Sequence, residues 1–520
     1  MSRSPSRPPA GLTIPAAGHA AALVLAALAV SAHVGTNIAS YGGMAGPYGV
    51  HVTVRLPQVI PGQAEIAVRP TAGAGAVRRV TVQPVFWQTG LAGAPPPEEA
   101  SVVPGAQRLY SATVWLMTSG AYSMRIGVEG SAGNGSVMVP VGAVATARLG
   151  MDRSMAALLA VLGLVLAVGI VSIIRAAAGE SVLQPGAVPD RASSRAGRLA
   201  AAVAVAVIAL GALGAARWWR SVDRAFERGL YRPLAVRTTV RTEPTGRVLR
   251  LTVEDSAWRA RVVTPLVPDH GKLMHMFVVK SGSLDALAHL HPVPLDSNDT
   301  FETRLPPDLP SGRYRVYGDV VHESGFARTL VDSVTIPADG ASSGAAKRWS
   351  RADPDDAAFV VGPGTKIDAR TSVLTDGSVM TWVHDTGALI AGREADLRFA
   401  VRAPNGSPAV LEPYMGMAGH AMVSTPDGSV FVHLHPMGTV AMASQALFER
   451  RTQVDSLRRG AGAAVADSAF RAGAGHAMYD GSSGEVRFPL AFPKPGPYRV
   501  WVQVKRDGRV QTGVFDVDVK

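Results

Sequence analysis

Gly312-Arg313-Tyr314-Arg315-Val316 returns almost unchanged as Gly496-Pro497-Tyr498-Arg499-Val500, and in looser form as Gly120-Ala121-Tyr122-Ser123-Met124. A turn glycine with tyrosine two residues on, entering an alternating strand, matches the tyrosine corner that opens a late strand of an immunoglobulin-like sandwich. Three such phrases predict three sandwiches. Around the first lie Val52-Thr53-Val54, Ala64 to Val68, Val77 to Val85 and Tyr110 to Met117, short alternating runs parted by Gly, Pro and Ser, as an all-β domain of about 100 residues requires. The expected fold is therefore mainly β: three immunoglobulin-like β-sandwich modules plus two or three transmembrane helices. Their bounds are 45–147, 238–338 and 358–520, with a Ser/Gly/Ala-rich linker at 339–357. The last module carries an insertion at 438–483, within which Ala443 to Arg459 reads as a helix on apolar Leu447, Val454 and Leu457.

Three apolar runs interrupt this β pattern. Residues 1–44 read as a signal or anchor segment, because Arg3 and Arg7 precede a short apolar stretch that ends at Val30-Ser31-Ala32, a passable cleavage site. Met155 to Ile174 holds no charge over roughly 20 residues, enough to span a bilayer. Leu199 to Ala216 is shorter, but it ends in Trp218-Trp219, the aromatic pair expected at a membrane interface. Spans at 154–175 and 199–219 then enclose a cytoplasmic loop at 176–198. Arg191, Arg195 and Arg198 lie in it and Arg175 borders it, so the positive-inside rule puts the sandwiches on the extracytoplasmic (periplasmic) side of the cell membrane.

The net charge is +11, yet the arginines are scattered and no basic run interleaves with aromatics, so nucleic acid is not an expected partner. The expected partner is the membrane, with an envelope protein as a further one. The chain has no cysteine, which excludes disulfides, thiolate catalysis, iron–sulfur clusters and a blue-copper thiolate. A metal site must use His, Met, carboxylate or backbone oxygen.

One pattern offers such a site twice. His275-Met276 is followed by His289-Leu290-His291-Pro292, and Met417-Ala418-Gly419-His420-Ala421-Met422 by His433-Leu434-His435-Pro436. Alternate residues of a strand share a face, so each His-x-His aims two imidazoles at one point, with a third from the preceding strand. The first module has the tyrosine phrase without these histidines, so sandwich packing alone does not call for them. Eight of the sixteen methionines sit close to the pattern. Thioether suits Cu(I) and imidazole suits either copper state, whereas zinc makes little use of thioether. The expected ligands are His275, His289, His291, Met276, His420, His433, His435, Met417 and Met422, and the expected metal is copper. His322, His384 and His476 read as structural or solvent-facing, with His322 the best further candidate among them.

Pro413 to His420 with Phe431 to Gly438 resembles a segment of uncharacterised bacterial membrane-anchored proteins and, more loosely, the YtkA-like and CopC-like extracytoplasmic β-sandwich domains. The resemblance implies a copper-associated, non-catalytic domain. The CopC-like pattern places a metal-binding histidine at the mature N-terminus, a place only His33 can hold here. A cupin needs a Glu after its His-x-His and none follows; a multicopper oxidase needs a Cys-His strand; the Gly-x-Ser-x-Gly match at Gly340 to Gly344 lies in the linker. The chain thus reads as a non-enzymatic, membrane-anchored metal-binding protein serving copper homeostasis. The competing reading is a non-metal structural or interaction protein at the cell envelope.

Overall fold

The phenols of Tyr314 and Tyr498 donate to the carbonyls of Pro310 and Lys494, each 2.7 Å away and four residues upstream. Tyr122 closes its corner differently, accepting from the Thr118 N–H at 3.3 Å. These corners anchor the central strands of a chain whose computed structural model describes residues 37–520 except 72–74, 185, 245, 260–264, 296–298, 339–352, 363–366, 384–386 and 459–482.

The protein is mainly β, with six antiparallel sheets among the described residues. They pair face to face around three cores. Val52, Ile66, Val80, Ile126 and Val139 draw both sheets of the first module into one core, Leu251, Phe301, Val278 and Val316 do so in the second, and Phe399, Phe488, Val423 and Val502 in the third. In each central strand (Gly120–Gly130, Gly312–His322 and Gly496–Arg506) the tyrosine and every second residue after it face the core.

The boundaries shift from those expected. The first module begins with the strand Ile38–Ala45, inside the stretch read as a leader, because that strand pairs residue for residue with Tyr48–Arg55. The rest of that segment, with His33, lies outside the described residues. The strand Ala357–Val360 belongs to the second module, where it pairs with Ala286–Leu290, and the third module's own first strand is Thr371–Val373. The chain therefore crosses back over the second sandwich before starting the third.

Two helices are long and apolar enough to cross a membrane, Arg153–Glu180 and Arg191–Gly229, and both expose their apolar residues. Both outrun the apolar spans, and Asp152 and Asp190 cap their N-termini, accepting from the N–H groups of Met155 at 3.2 Å and Ser193 at 2.7 Å. The connection between the two helices is residues 181–190, inside the expected loop of 176–198. Gly179 and Gly197 let the two helices approach closely, and Arg148 ties the far end of the second to the first module through Asp223 at 2.7 Å and Glu227 at 2.9 Å.

The helix of the insertion is Met442–Arg458, as the periodicity indicated, but it buries a different face. Leu457 is 58% exposed, while Phe448 is fully buried against Val85, Leu91 and Met138 of the first module. The Asp455 carboxylate accepts from the Leu91 N–H at 3.0 Å, so the docking partner and not the apolar count decides the face.

Candidate metal centre

The strand His275–Lys280 runs between the central strand Gly312–His322 and Ala286–Leu290, with Phe277 opposite His289. Alternation sends Met274, Met276 and Val278 into the core of the second sandwich and His275, Phe277 and Val279 to its outer face. The third module repeats this. Ala421 and Val423 enter the core, His420 and Met422 face outward, and Met422 stands opposite His433. The two outer faces meet: Phe277, Leu287 and Tyr317 pack on Met422, Phe431 and Trp501, with Tyr317 and Phe431 stacked 4.0 Å apart. Both faces of these strands are covered, which is why they read as continuous apolar runs.

At one end of this interface seven imidazoles converge, His270, His275, His289, His291, His420, His433 and His435. Ring centroids lie 4.8 Å apart for His289 and His291, 4.4 Å for His433 and His435, and 6.4 Å for His275 and His420 across the two modules. Ligand atoms of His275, His289 and His291 all fall within 4.8 Å of one another, and so do those of His270, His420 and His435. The first trio is the expected one. The second takes His270 from the second module where His433 was expected. His433 stays in the cluster, with its Nδ1 turned to Asp319 Oδ2 at 3.2 Å.

Partners on the outer nitrogens fix the tautomers. His275 Nε2 donates to the Asp269 carbonyl at 3.1 Å, His289 Nδ1 to Gln503 Oε1 at 2.9 Å, His291 Nδ1 to Asp356 Oδ1 at 3.0 Å and His435 Nδ1 to the Val440 carbonyl at 3.0 Å. Each partner accepts, so each imidazole carries its proton outward and turns a lone pair inward. His275 Nδ1 and His289 Nε2 consequently face each other at 3.4 Å. That spacing is close to the roughly 3.3 Å separating two imidazole nitrogens on one tetrahedral ion with bonds of about 2.0–2.1 Å. Among the described residues the inward atoms His291 Nε2, His433 Nε2 and His435 Nε2 meet no hydrogen-bond partner, nor does either nitrogen of fully buried His420. A buried polar atom without a partner costs about 1–3 kcal/mol, which an ion shared among these nitrogens would offset.

Burial first, and then the neighbouring imidazoles, hold His275, His289, His420 and His433 well below the usual histidine range; burial lowers His435 too. Neutral imidazole is the form that ligates. Burial pushes the Asp319 carboxyl up to about 7, partly offset by the hydrogen bond it accepts from Thr329, so Asp319 and His433 are both biased away from an ion pair.

The methionines do not join as expected. Met276 is one residue out of phase with His275 and lies in the core of the second sandwich. Met422 is on the histidine face but packs in the aromatic cluster with Phe277 and Trp501. Met417, buried, ends the Tyr414-Met415-Gly416-Met417 turn beside the cluster, where its backbone exchanges hydrogen bonds with Tyr414. Met276 and Met422 therefore stand apart from the two histidine trios.

Residues 372–520 match a domain of unknown function, DUF8832, which spans the third module and less than a third of the chain. No curated protein matches. Among solved structures, a tetra-tandem repeat from the extending region of a large adhesion protein is similar at 10% identity and TM-score 0.15, covering 89% of this chain and 72% of its own. The α2-macroglobulin of E. coli is similar at 10% identity and TM-score 0.19, with 92% of this chain and 23% of that one covered. The D00-D0 domain of intimin is similar at 10% identity and TM-score 0.12, over 55% of this chain and 100% of its own.

Several residues of the centre were not singled out in the sequence. Asp356 and Gln503 are single polar residues far away in the chain, and nothing local marks them. His270 had a signal: it stands five residues before His275 in Pro268-Asp269-His270-Gly271, opposite Pro413-Tyr414-Met415-Gly416 in the third module. The first module buttresses the site from outside. Its strand Ile38–Ala45 grips the loop after His435, with Ser40 N–H donating to Thr439 Oγ1 at 3.0 Å and Gly42 N–H to the Met437 carbonyl at 2.9 Å. Of the other described histidines, His51 pairs with Glu394 at 2.7 Å and His322 packs edge-on against Trp258. His384 and His476 lie outside the described residues.

Proposed function

We propose that this chain is a membrane-anchored protein of the cell envelope that binds a late first-row transition metal, copper first among them, in the histidine cluster between its second and third sandwiches. The observation that carries this is the tautomer pattern: acceptors behind His275, His289, His291 and His435 direct four lone pairs into one buried space. Imidazole suits copper and zinc alike, and the hard cations that want oxygen are poorly served. The role is binding and not catalysis. Arg153–Glu180 and Arg191–Gly229 cross the bilayer as a pair, the ends that carry Arg175, Arg191, Arg195 and Arg198 in the cytoplasm and the sandwiches on the extracytoplasmic side.

The test is metal content. The full chain, purified in detergent micelles, stripped with chelator and exposed to Cu(II) or Zn(II) at pH 7.5, is expected to retain metal through gel filtration. His289→Ala with His291→Ala is expected to lose at least one equivalent, and His51→Ala none. Retention no higher than that of the double variant would refute the reading.

A second reading treats the interface as structural, the histidines serving to join modules of an interaction protein. Hydrogen bonds from His289 to Gln503 and contact of His433 with Asp319 do cross between modules. This reading predicts normal docking of the modules with no metal bound.

A further inference from the structure

The interface has an approximate two-fold relation that the sequence repeat explains. Across the sheets His275 stands opposite Asp319, and His420 opposite Gln503. Asp319 then meets His433 of the third module while Gln503 meets His289 of the second, so equivalent residues make reciprocal contacts. His275 lies 5.5 Å from His433, and its counterpart His420 lies 6.0 Å from His289, as the same relation requires.

Each module also offers a turn at the interface. Asp269 and Lys272 exchange backbone hydrogen bonds of 2.9 Å, and Tyr414 and Met417 exchange bonds of 2.8 and 3.1 Å. The turn tips are His270 at φ 51° with Gly271 at φ 78°, and Met415 at φ 51° with Gly416 at φ 79°. Positive φ at both central residues makes these tight mirror-image turns, which favour Asn or Asp at the first place; histidine also tolerates that conformation, whereas methionine is held there against backbone preference. His270 reaches across, its ring 4.8 Å from His435 and 5.6 Å from His420. The two-fold relation makes Met415 the counterpart of His270, at the tip of the matching turn.

We propose that the interface holds two four-donor metal sites of unlike chemistry, His270 with His420, His433 and His435, and Met415 with His275, His289 and His291. The proposal rests on the metal-binding reading above and refines it. Each site takes three histidines from one module and the turn tip of the other, so neither is complete until the modules dock. Four imidazoles make a borderline site that suits Zn(II) or Cu(II), whereas three imidazoles and a thioether suit Cu(I). One lineage of duplicated sandwiches thus selects two ions through a single exchange at the turn tip.

The full chain in detergent, stripped of metal, is titrated with Zn(II) alone and, without oxygen, with Cu(I) alone. X-ray absorption of the first Cu(I) equivalent is expected to show one sulfur neighbour. Met415→Leu should remove that sulfur and weaken Cu(I) at least tenfold while leaving Zn(II) unchanged. His270→Ala should weaken Zn(II) at least tenfold and keep the sulfur. Met415→His, which keeps a ligand in place should the leucine variant misfold, is expected to gain a Zn(II) equivalent. A copper spectrum without sulfur, sulfur surviving in Met415→Leu, or a single equivalent lost equally in both variants would overturn the two-site proposal and leave metal binding standing. Wild-type protein that binds neither ion would overturn the metal reading itself.

Discussion

The three central strands share an inner face and differ on the outer one. Outward from the first sandwich point Ser123, Arg125, Gly127 and Glu129; from the second Arg315, Tyr317, Asp319 and Val321; from the third Arg499, Trp501, Gln503 and Lys505. All three faces sit behind cores of the same kind. The fold is thus indifferent to what the outer face carries, and in the second and third modules that face has become an interface, with aromatics at one place and the histidine partners Asp319 and Gln503 two residues on. What separates the modules is the outer face and not the sandwich.

That contrast can be broken most forcefully at Trp501, which is fully buried between the modules. Trp501→Ala is expected to cost about 3–5 kcal/mol, read as loss of hydrogen-exchange protection in the strands His275–Lys280 and His420–Ser424. Arg125→Ala, at the matching place in the first module, should stay within about 0.5 kcal/mol. Equal effects at the two positions would erase the distinction drawn between them.

A smaller effect tests the partners behind the histidines. Asp356→Asn keeps the shape but removes the carboxylate that fixes the His291 tautomer, and metal affinity should fall roughly 10–100-fold. Titration of the variant beside wild type reads this directly. Unchanged affinity would remove Asp356 from the site.

Acid separates the interfaces by sign. His275, His289, His420 and His433 are held neutral in the folded protein, so below about 6.5 the unfolded chain takes up protons that the folded one refuses. Their contribution to stability is present above that pH and lost as pH falls, by up to about 1.4 kcal/mol per histidine for each pH unit. His51, between the first and third modules, has its pKa raised by the hydrogen bond to Glu394; its contribution is present below about 6.5 and lost as pH rises through that raised value. Hydrogen exchange of apo protein at pH 5.5 and 7.5 should therefore loosen the second–third interface on acidification and not the His51 contact. Loosening of both alike would contradict the assignment.

The tyrosine phrases made the three sandwiches legible because a corner is a local device: glycine, tyrosine and alternation lie within five residues. The convergence of His275, His289 and His291 was legible for the same reason, since strand alternation and a short hairpin set it. Alternation also disqualifies Met276, whose phase is opposite to that of His275. What could not be read locally was the pairing of outer faces. That pairing brings His270 to His420, swaps the partners of His289 and His433 across modules and settles which side of the Met442–Arg458 helix is buried. The return of Ala357–Val360 to the second sandwich escaped the reading because a four-residue strand after a Ser/Gly-rich stretch carries no mark of which sheet edge it will join.

The central claim is that the buried imidazoles between the second and third sandwiches share metal ions. Crystals of the full chain grown from copper-loaded protein, measured on both sides of the copper absorption edge, test it most directly. The account predicts anomalous density enclosed by His275, His289 and His291 or by His270, His420 and His435. Density confined to surface histidines such as His51, with the seven imidazoles packed around no ion, would contradict it.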